Sequence, residues 1–300
     1  MAADRRYDTA MQGPTSHLYF SQRLRLHYVD WGDPEAPAAL LIHGGRDHCR
    51  NWDWVAERLA DRYHVIAPDL RGHGDSEWAV GSGYGEINYV YDIAQLVHQK
   101  KMAPVTVIGH SLGGSVALLY AGTFPETVKK LVAIEGLGPS PAMLERRNET
   151  PVERHMRDWI ENRRANAGRT PRKYATIEGA VARMKEENKH LNDAQARHLT
   201  IHGAIQNEDG TYSWKFDNEV RFFGRPGGLS VEEQRRIWGC IAAPVLLIRG
   251  TESWASDPVA DGRIAHFKDA RLVNIEGAGH WSHHDQLDVF MGHVERFLAE

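Results

Sequence analysis

The 300-residue sequence predicts an α/β fold: a mostly parallel central sheet flanked by helices and interrupted by a mostly helical insertion. Two observations predict the sheet. Short, continuously apolar runs at 38–42, 105–108, 131–134 and 244–248 have the pattern of strands buried on both faces. Stretches of helical spacing lie between them, as in strand–helix–strand units. A third observation predicts the insertion: from 139 to 229 no such run occurs, only charged amphipathic stretches.

Taken in order, residues 17–30 read as two strands with a turn at Ser21-Gln22, and the prolines of 33–37 mark a loop. The strand 38–42 ends in His43-Gly44-Gly45-Arg46-Asp47, and 51–59 has helical spacing. A strand at 63–67 closes on Pro68-Asp69-Leu70-Arg71-Gly72-His73-Gly74-Asp75-Ser76. The glycine-rich 81–85 leads to a helix over 88–100. The strand 105–108 meets Gly109-His110-Ser111-Leu112-Gly113 and a helix of small apolar residues, which Phe124-Pro125 stops. The strand 131–134 ends at Glu135-Gly136. Within the insertion, 152–164, 171–188 and 193–204 have amphipathic helical spacing, and 212–216 reads as extended. After the strand 244–248, residues 257–267 read as a helix, 270–275 as the last strand and 286–298 as a closing amphipathic helix. The expected organisation is a flexible tail at 1–16, a core of 17–138 and 230–300, and a mostly helical cap at 139–229. The insertion enters beside the carboxyl ends of the strands, where such sheets bind ligands.

Composition narrows the function classes. With 42% hydrophobic and 25% charged residues the chain reads as an ordinary globular protein, and a formal net charge of −4 gives no basis for nucleic acid or an anionic membrane as partner. Cys49 and Cys240 make no disulfide framework, which favours a reducing compartment. The first 16 residues lack the apolar core of a signal peptide and no run is long enough to span a bilayer, so a cytoplasmic location is expected. Oligomeric state leaves no trace in the sequence.

The chemistry centres on 105–120. A serine between flanking glycines, at the tip of a strand–turn–helix, is the arrangement of a nucleophile elbow, and Ser111 is the candidate nucleophile. Four separate motifs, at 43–45, 69–76, 111 and 135, fall at strand ends on one rim. Asp69, His73 and Asp75 lie close enough in sequence to suggest a metal, but a metal site is not the favoured reading, and no cofactor is called for.

In His43-Gly44-Gly45, Asp69-Leu70-Arg71-Gly72-His73-Gly74, Gly109-His110-Ser111-Leu112-Gly113 and Gly277-Ala278-Gly279-His280, the chain resembles the α/β-hydrolase fold family over roughly 17–138 and 231–299. The resemblance implies a serine hydrolase with Ser111 as nucleophile, His280 as base and the backbone N–H groups of Gly45 and Leu112 as oxyanion donors. His283 and His284 compete with His280 but begin the final helical region. The acid is open between Glu135, which is favoured because some relatives, notably haloalkane dehalogenases, carry it after the strand that follows the elbow helix, and Glu252, one residue short of the family's usual position, Ser253. Asp257 is a remote third. The implied activity is cleavage of a small-molecule carboxylic ester with an apolar acyl group through an acyl-enzyme. Alternatives are C–C bond, lactone, amide or perhydrolase chemistry on the same fold, or a non-catalytic member that binds a ligand. Epoxide hydrolases and haloalkane dehalogenases of this plan use an aspartate nucleophile, and position 111 is serine.

Overall fold

The computed structural model describes residues 13–81, 83–167, 169–221 and 228–300. Most of the expected tail, 1–12, lies outside them, as do 82 in the glycine-rich loop and 168 and 222–227 in the insertion. Thr15 and Ser16, expected in the tail, already belong to the first strand.

The first strands, β1 (Thr15–Ser21) and β2 (Leu24–Trp31), form an antiparallel hairpin that turns at Gln22 and Arg23, one residue later than expected. Both turn residues have positive φ, so the turn is set by backbone geometry rather than by a glycine. Then follow β3 (Ala38–Ile42), α1 (Asp53–Leu59), β4 (His64–Pro68), α2 (Glu86–Gln99), β5 (Val105–His110), α3 (Leu112–Thr123) and β6 (Val128–Ile134). The inserted segment holds α4 (Pro141–Asn148), α5 (Val152–Ala167), α6 (Ile177–Glu187), α7 (Asp193–Gly203) and a small hairpin of β7 (Ala204–Gln206) with β8 (Tyr212–Trp214). The chain ends with α8 (Val231–Cys240), β9 (Val245–Gly250), β10 (Ala270–Ile275), α9 (Ser282–Asp285) and α10 (Leu287–Ala299).

Eight strands form one sheet in the order β1-β2-β4-β3-β5-β6-β9-β10, parallel from β4 onward. The central strands are apolar throughout because helices cover both faces. On one face Ile93, Leu118 and Trp238 of α2, α3 and α8 pack with Val107 and Leu131. On the other, Leu59 of α1 and Phe290 and Val294 of α10 pack with Ile108, Val132 and Ile248.

Three local expectations differ from the structure. The stretch 257–267 is not a helix: only a 3-10 turn, Arg263–His266, forms there. Asp257 Oδ1 accepts from the N–H groups of Val259 and Ala260, and Gly262 takes a positive φ, so turn chemistry outcompetes the helix. The stretch 171–188 is helical only in α6, because Tyr174 pairs with Tyr212 and extends the small hairpin. The helices α4 and α8 had no counterpart in the sequence reading. A capping box, Ser230 with Glu233, starts α8.

The inserted segment is tied to the rim of the sheet. His48 Nε2–H donates to the Leu199 carbonyl of α7 at 2.9 Å, and Gln195 Nε2 donates to the His284 carbonyl at 3.0 Å. Asp217 N–H donates to Gly72 O, and Tyr84 Oη–H to the Asp217 carboxylate at 2.5 Å.

Candidate active site

The site begins where β5 ends. Ser111 has φ 51° and ψ −113°, a strained conformation for a residue with a side chain. Its N–H donates to Ile134 O at 2.8 Å, so the turn is fastened to β6. A Cβ on Gly109 would lie 2.4 Å from Gly113 O, and one on Gly113 would lie 2.2 Å from Ile42 O. Only glycine allows this close approach of strand, turn and helix, which is why the flanking residues read so clearly in the sequence. Leu112 is the first residue of α3, so its N–H stands at the positive end of that helix.

Gly45 lies in the loop after β3. His43 shapes that loop: its Nδ1–H donates to Gly44 O at 2.6 Å, and its Nε2 accepts from Leu70 N–H at 2.9 Å. The bond that Nε2 accepts requires a neutral ring. Burial, and then the neighbouring His73, lower the His43 pKa to about 3, which keeps it neutral.

The Asp69 loop packs behind. Asp69 accepts from His27 Nδ1 at 2.7 Å, Cys49 N–H at 2.7 Å and Asp75 N–H at 2.9 Å. Burial alone would raise its pKa. The hydrogen bond and charge of His27 outweigh that and hold the carboxyl well below its usual range. His73 Nδ1–H donates to Arg71 O. The Asp69 oxygens and this face of His73 are thus occupied in holding the loop.

Beyond β6 stands Glu135, with φ 49°, its N–H bonded to Ile248 O. Its carboxylate is fully buried and pairs with His280 Nδ1. Two further donors reach it: Gly250 N–H to Oε1 at 3.0 Å, and Ser253 Oγ–H to Oε2 at 2.6 Å. A buried carboxylate of this kind needs such partners. Glu252, the alternative acid, is not paired with His280. It is exposed, and its ion-pair partner is His190 at 3.7 Å. Asp257 is spent on the turn described above.

His280 lies between β10 and α9. The hydrogen bonds described for it run through Nδ1 to Glu135 and through its carbonyl to His110 Nε2–H at 2.9 Å, and neither reaches Ser111 Oγ. In unliganded sites this bond is commonly long. The His110 and His280 rings lie 4.7 Å apart, so the residue next to Ser111 touches the candidate base. The Trp254 ring lies 5.0 Å from that of His280, tilted by 35°. His283 and His284 are buried; His283 stacks on Trp52 and pairs through Nε2 with Asn51.

Sequence reasoning missed Ser253 and His110 as partners of the acid and base. The signal for Ser253 was its place at the family's usual acid position; His110 had only its place in the elbow. Between the rim and the insertion lies a small, partly open cavity, bounded by Arg46, His48, Trp214, Lys215, Phe216 and Trp281 among others.

A family model described as the alpha/beta hydrolase fold matches residues 37–287. An uncharacterized protein of Mycobacterium tuberculosis is 30% identical over 268 residues, covering 87% of this chain and 75% of that protein. Epoxide hydrolase 4 of Mus musculus is 28% identical over 293 residues, covering 92% and 77%. Among solved structures, a thioesterase domain from the curacin biosynthetic pathway superposes with a TM-score of 0.81 at 23% identity, covering 95% of this chain and all of that one. An esterase of Mycobacterium tuberculosis gives 0.77 at 22% identity, covering 96% and 93%. These structural likenesses speak for the fold. With the elbow, the parallel sheet and a family match over most of its length, the chain belongs to the α/β-hydrolase fold family.

Proposed function

We propose that the protein is a serine hydrolase cleaving carboxylic esters through an acyl-enzyme, with Ser111 as nucleophile, His280 as base, Glu135 as acid and the inserted segment as a cap. The pairing of buried Glu135 with His280 Nδ1, beside a serine elbow, carries this reading. A carboxylate at Nδ1 fixes the proton there and leaves Nε2 as the lone-pair face. Ser111 Oγ attacks the ester carbonyl as its proton passes to His280 Nε2. The oxyanion is received by the N–H groups of Leu112 and Gly45. His280 then gives the proton to the leaving alcohol, and the acyl group stays on Ser111. Water attacks the acyl-enzyme with His280 again as base, and the carboxylic acid leaves.

An esterase from Mycobacterium tuberculosis, 24% identical over 290 residues, agrees with this reading. Epoxide hydrolase 4 agrees less well, since the resemblance gives epoxide hydrolases an aspartate where this chain has Ser111. A fluorophosphonate probe is the direct test. Wild type should label and Ser111→Ala should not; an unlabelled wild type, or equal labelling of the variant, ends the serine-hydrolase reading.

A further inference from the structure

The cavity beside the site is not lined by apolar side chains alone. Two cationic side chains, Arg46 and Lys215, line it with the aromatic faces of Trp214, Phe216 and Trp281. Arg46 follows the candidate oxyanion donor Gly45, and the ring of Trp281, which follows His280, lies 6.4 Å from that of His110 beside Ser111, so the cavity lies next to the candidate site.

Arg46 has φ 62°, a region that favours glycine and strains a residue with a side chain. The two preceding residues are glycines, yet an arginine occupies this position. Its side chain is exposed, and among the described residues its guanidinium has no hydrogen bond or ion pair.

The nearby carboxylates leave it free. Asp47 is buried, and its oxygens accept from His48 N–H at 2.9 Å and from Asn51 Nδ2 at 2.5 Å. Burial pushes its pKa well up, and both of its oxygens are already taken by these donors. Asp75, 2.8 Å from Lys215 Nζ, is largely exposed and does not line the cavity. His48 lines the wall as a neutral ring: Nε2–H donates to Leu199 O, burial lowers its pKa, and Nδ1 has no partner.

We infer that the cavity takes an acyl group bearing its own carboxylate, so that the preferred substrates are half-esters of dicarboxylic acids. The carboxylate would pair with Arg46, whose fork suits it, and with Lys215, while the chain lies against the tryptophans. This rests on the ester-hydrolase reading above.

Two measurements keep the two readings apart. The first is kcat/KM by pH-stat for monoethyl succinate, glutarate and adipate against ethyl butyrate. At least one half-ester should be preferred tenfold or more, the ratio of charged to neutral ester should drop at least tenfold in Arg46→Gln, and the preference should shrink as salt rises. The second is binding without turnover, read by tryptophan fluorescence of Ser111→Ala during titration with the same esters. Tighter binding of a half-ester than of ethyl butyrate, lost in Ser111→Ala/Arg46→Gln, supports the anion pocket. Equal binding of charged and neutral esters, or an unchanged ratio in Arg46→Gln, overturns it and leaves the ester-hydrolase reading in place. Preferential binding of a half-ester by a wild type that turns over no ester supports the pocket and removes the ester-hydrolase reading.

Discussion

Glu135 is held by three donors: His280 Nδ1, Gly250 N–H and the Ser253 hydroxyl. Changing it to Gln keeps the shape but presents an N–H or a weaker acceptor to the imidazole, so Glu135→Gln should lower kcat by about 10³–10⁴. Glu252→Gln, at an exposed residue paired only with His190, should stay within about twofold. If the second substitution is the one that abolishes nitrophenyl ester hydrolysis, the acid has been misassigned. Ser253→Ala removes a single neutral donor worth about 1–1.5 kcal/mol, or roughly tenfold in kcat with KM little changed. Because Ser253 Oγ lies 2.6 Å from Glu135 Oε2, Ser253→Asp in a Glu135→Gln background should recover at least tenfold over Glu135→Gln alone. Ser111 and His280 were legible because an elbow fixes its residues through local backbone crowding and the base follows the last strand. The acid was legible only as a choice. Which carboxylate reaches the imidazole depends on how the ends of β6 and β9 sit side by side, and no local pattern encodes that.

At the level of elements, the strands of the parallel region were readable because burial on both faces leaves an apolar run. The stretch 257–267 misled because its helical spacing is real, while Asp257 and Gly262 commit the backbone to turns. A buried ion pair adds to the apolar face of helix α2 in fastening it to the sheet. Asp92 accepts from Arg71 Nε at 2.6 Å and Arg71 Nη2 at 2.7 Å, with Ser21 Oγ as a further donor, so one carboxylate joins α2 to β1 and to the loop after β4. Asp92→Ala strands a guanidinium that is only 2% exposed and should cost about 3–5 kcal/mol, read as a shifted urea midpoint at unchanged slope. Asp92→Leu with Arg71→Met, which removes both charges, should recover most of that loss. If the single variant is as stable as wild type, the pair does not anchor the helix.

Across the whole molecule, seven histidines whose pKa burial lowers set the response to acid. Burial lowers His43 and His284 to about 3 and His73 and His202 to about 4, and also lowers His48, His110 and His283. Above about pH 6.5 these rings are neutral in both folded and unfolded chains, so they cost nothing there. As pH falls below that value the unfolded chain takes up protons that the folded one refuses, and stability is lost until the folded values near 3–4 are reached. Asp47, Asp92 and Asp285, pushed up by burial, work in the opposite sense, so about four net protons give a slope of about 5 kcal/mol per pH unit. Since domains hold only about 5–15 kcal/mol, acid unfolding should have its midpoint between about pH 4 and 5.5 by circular dichroism. A fold unchanged at pH 4 would mean that these rings bind protons where they lie. The distribution of the candidate triad along the chain has its own consequence. Nucleophile, one oxyanion donor and acid all come from a single strand–helix–strand unit, β5 to β6, and only the imidazole arrives from the far end. His280→Gly should therefore leave an imidazole-shaped vacancy whose anchor, Glu135 with Ser253, stays in place. That side chain is 24% exposed, so the vacancy opens to solvent. Free imidazole added to this variant should restore ester hydrolysis in a concentration-dependent, saturable way, and should do nothing for His280→Gly combined with Glu135→Gln.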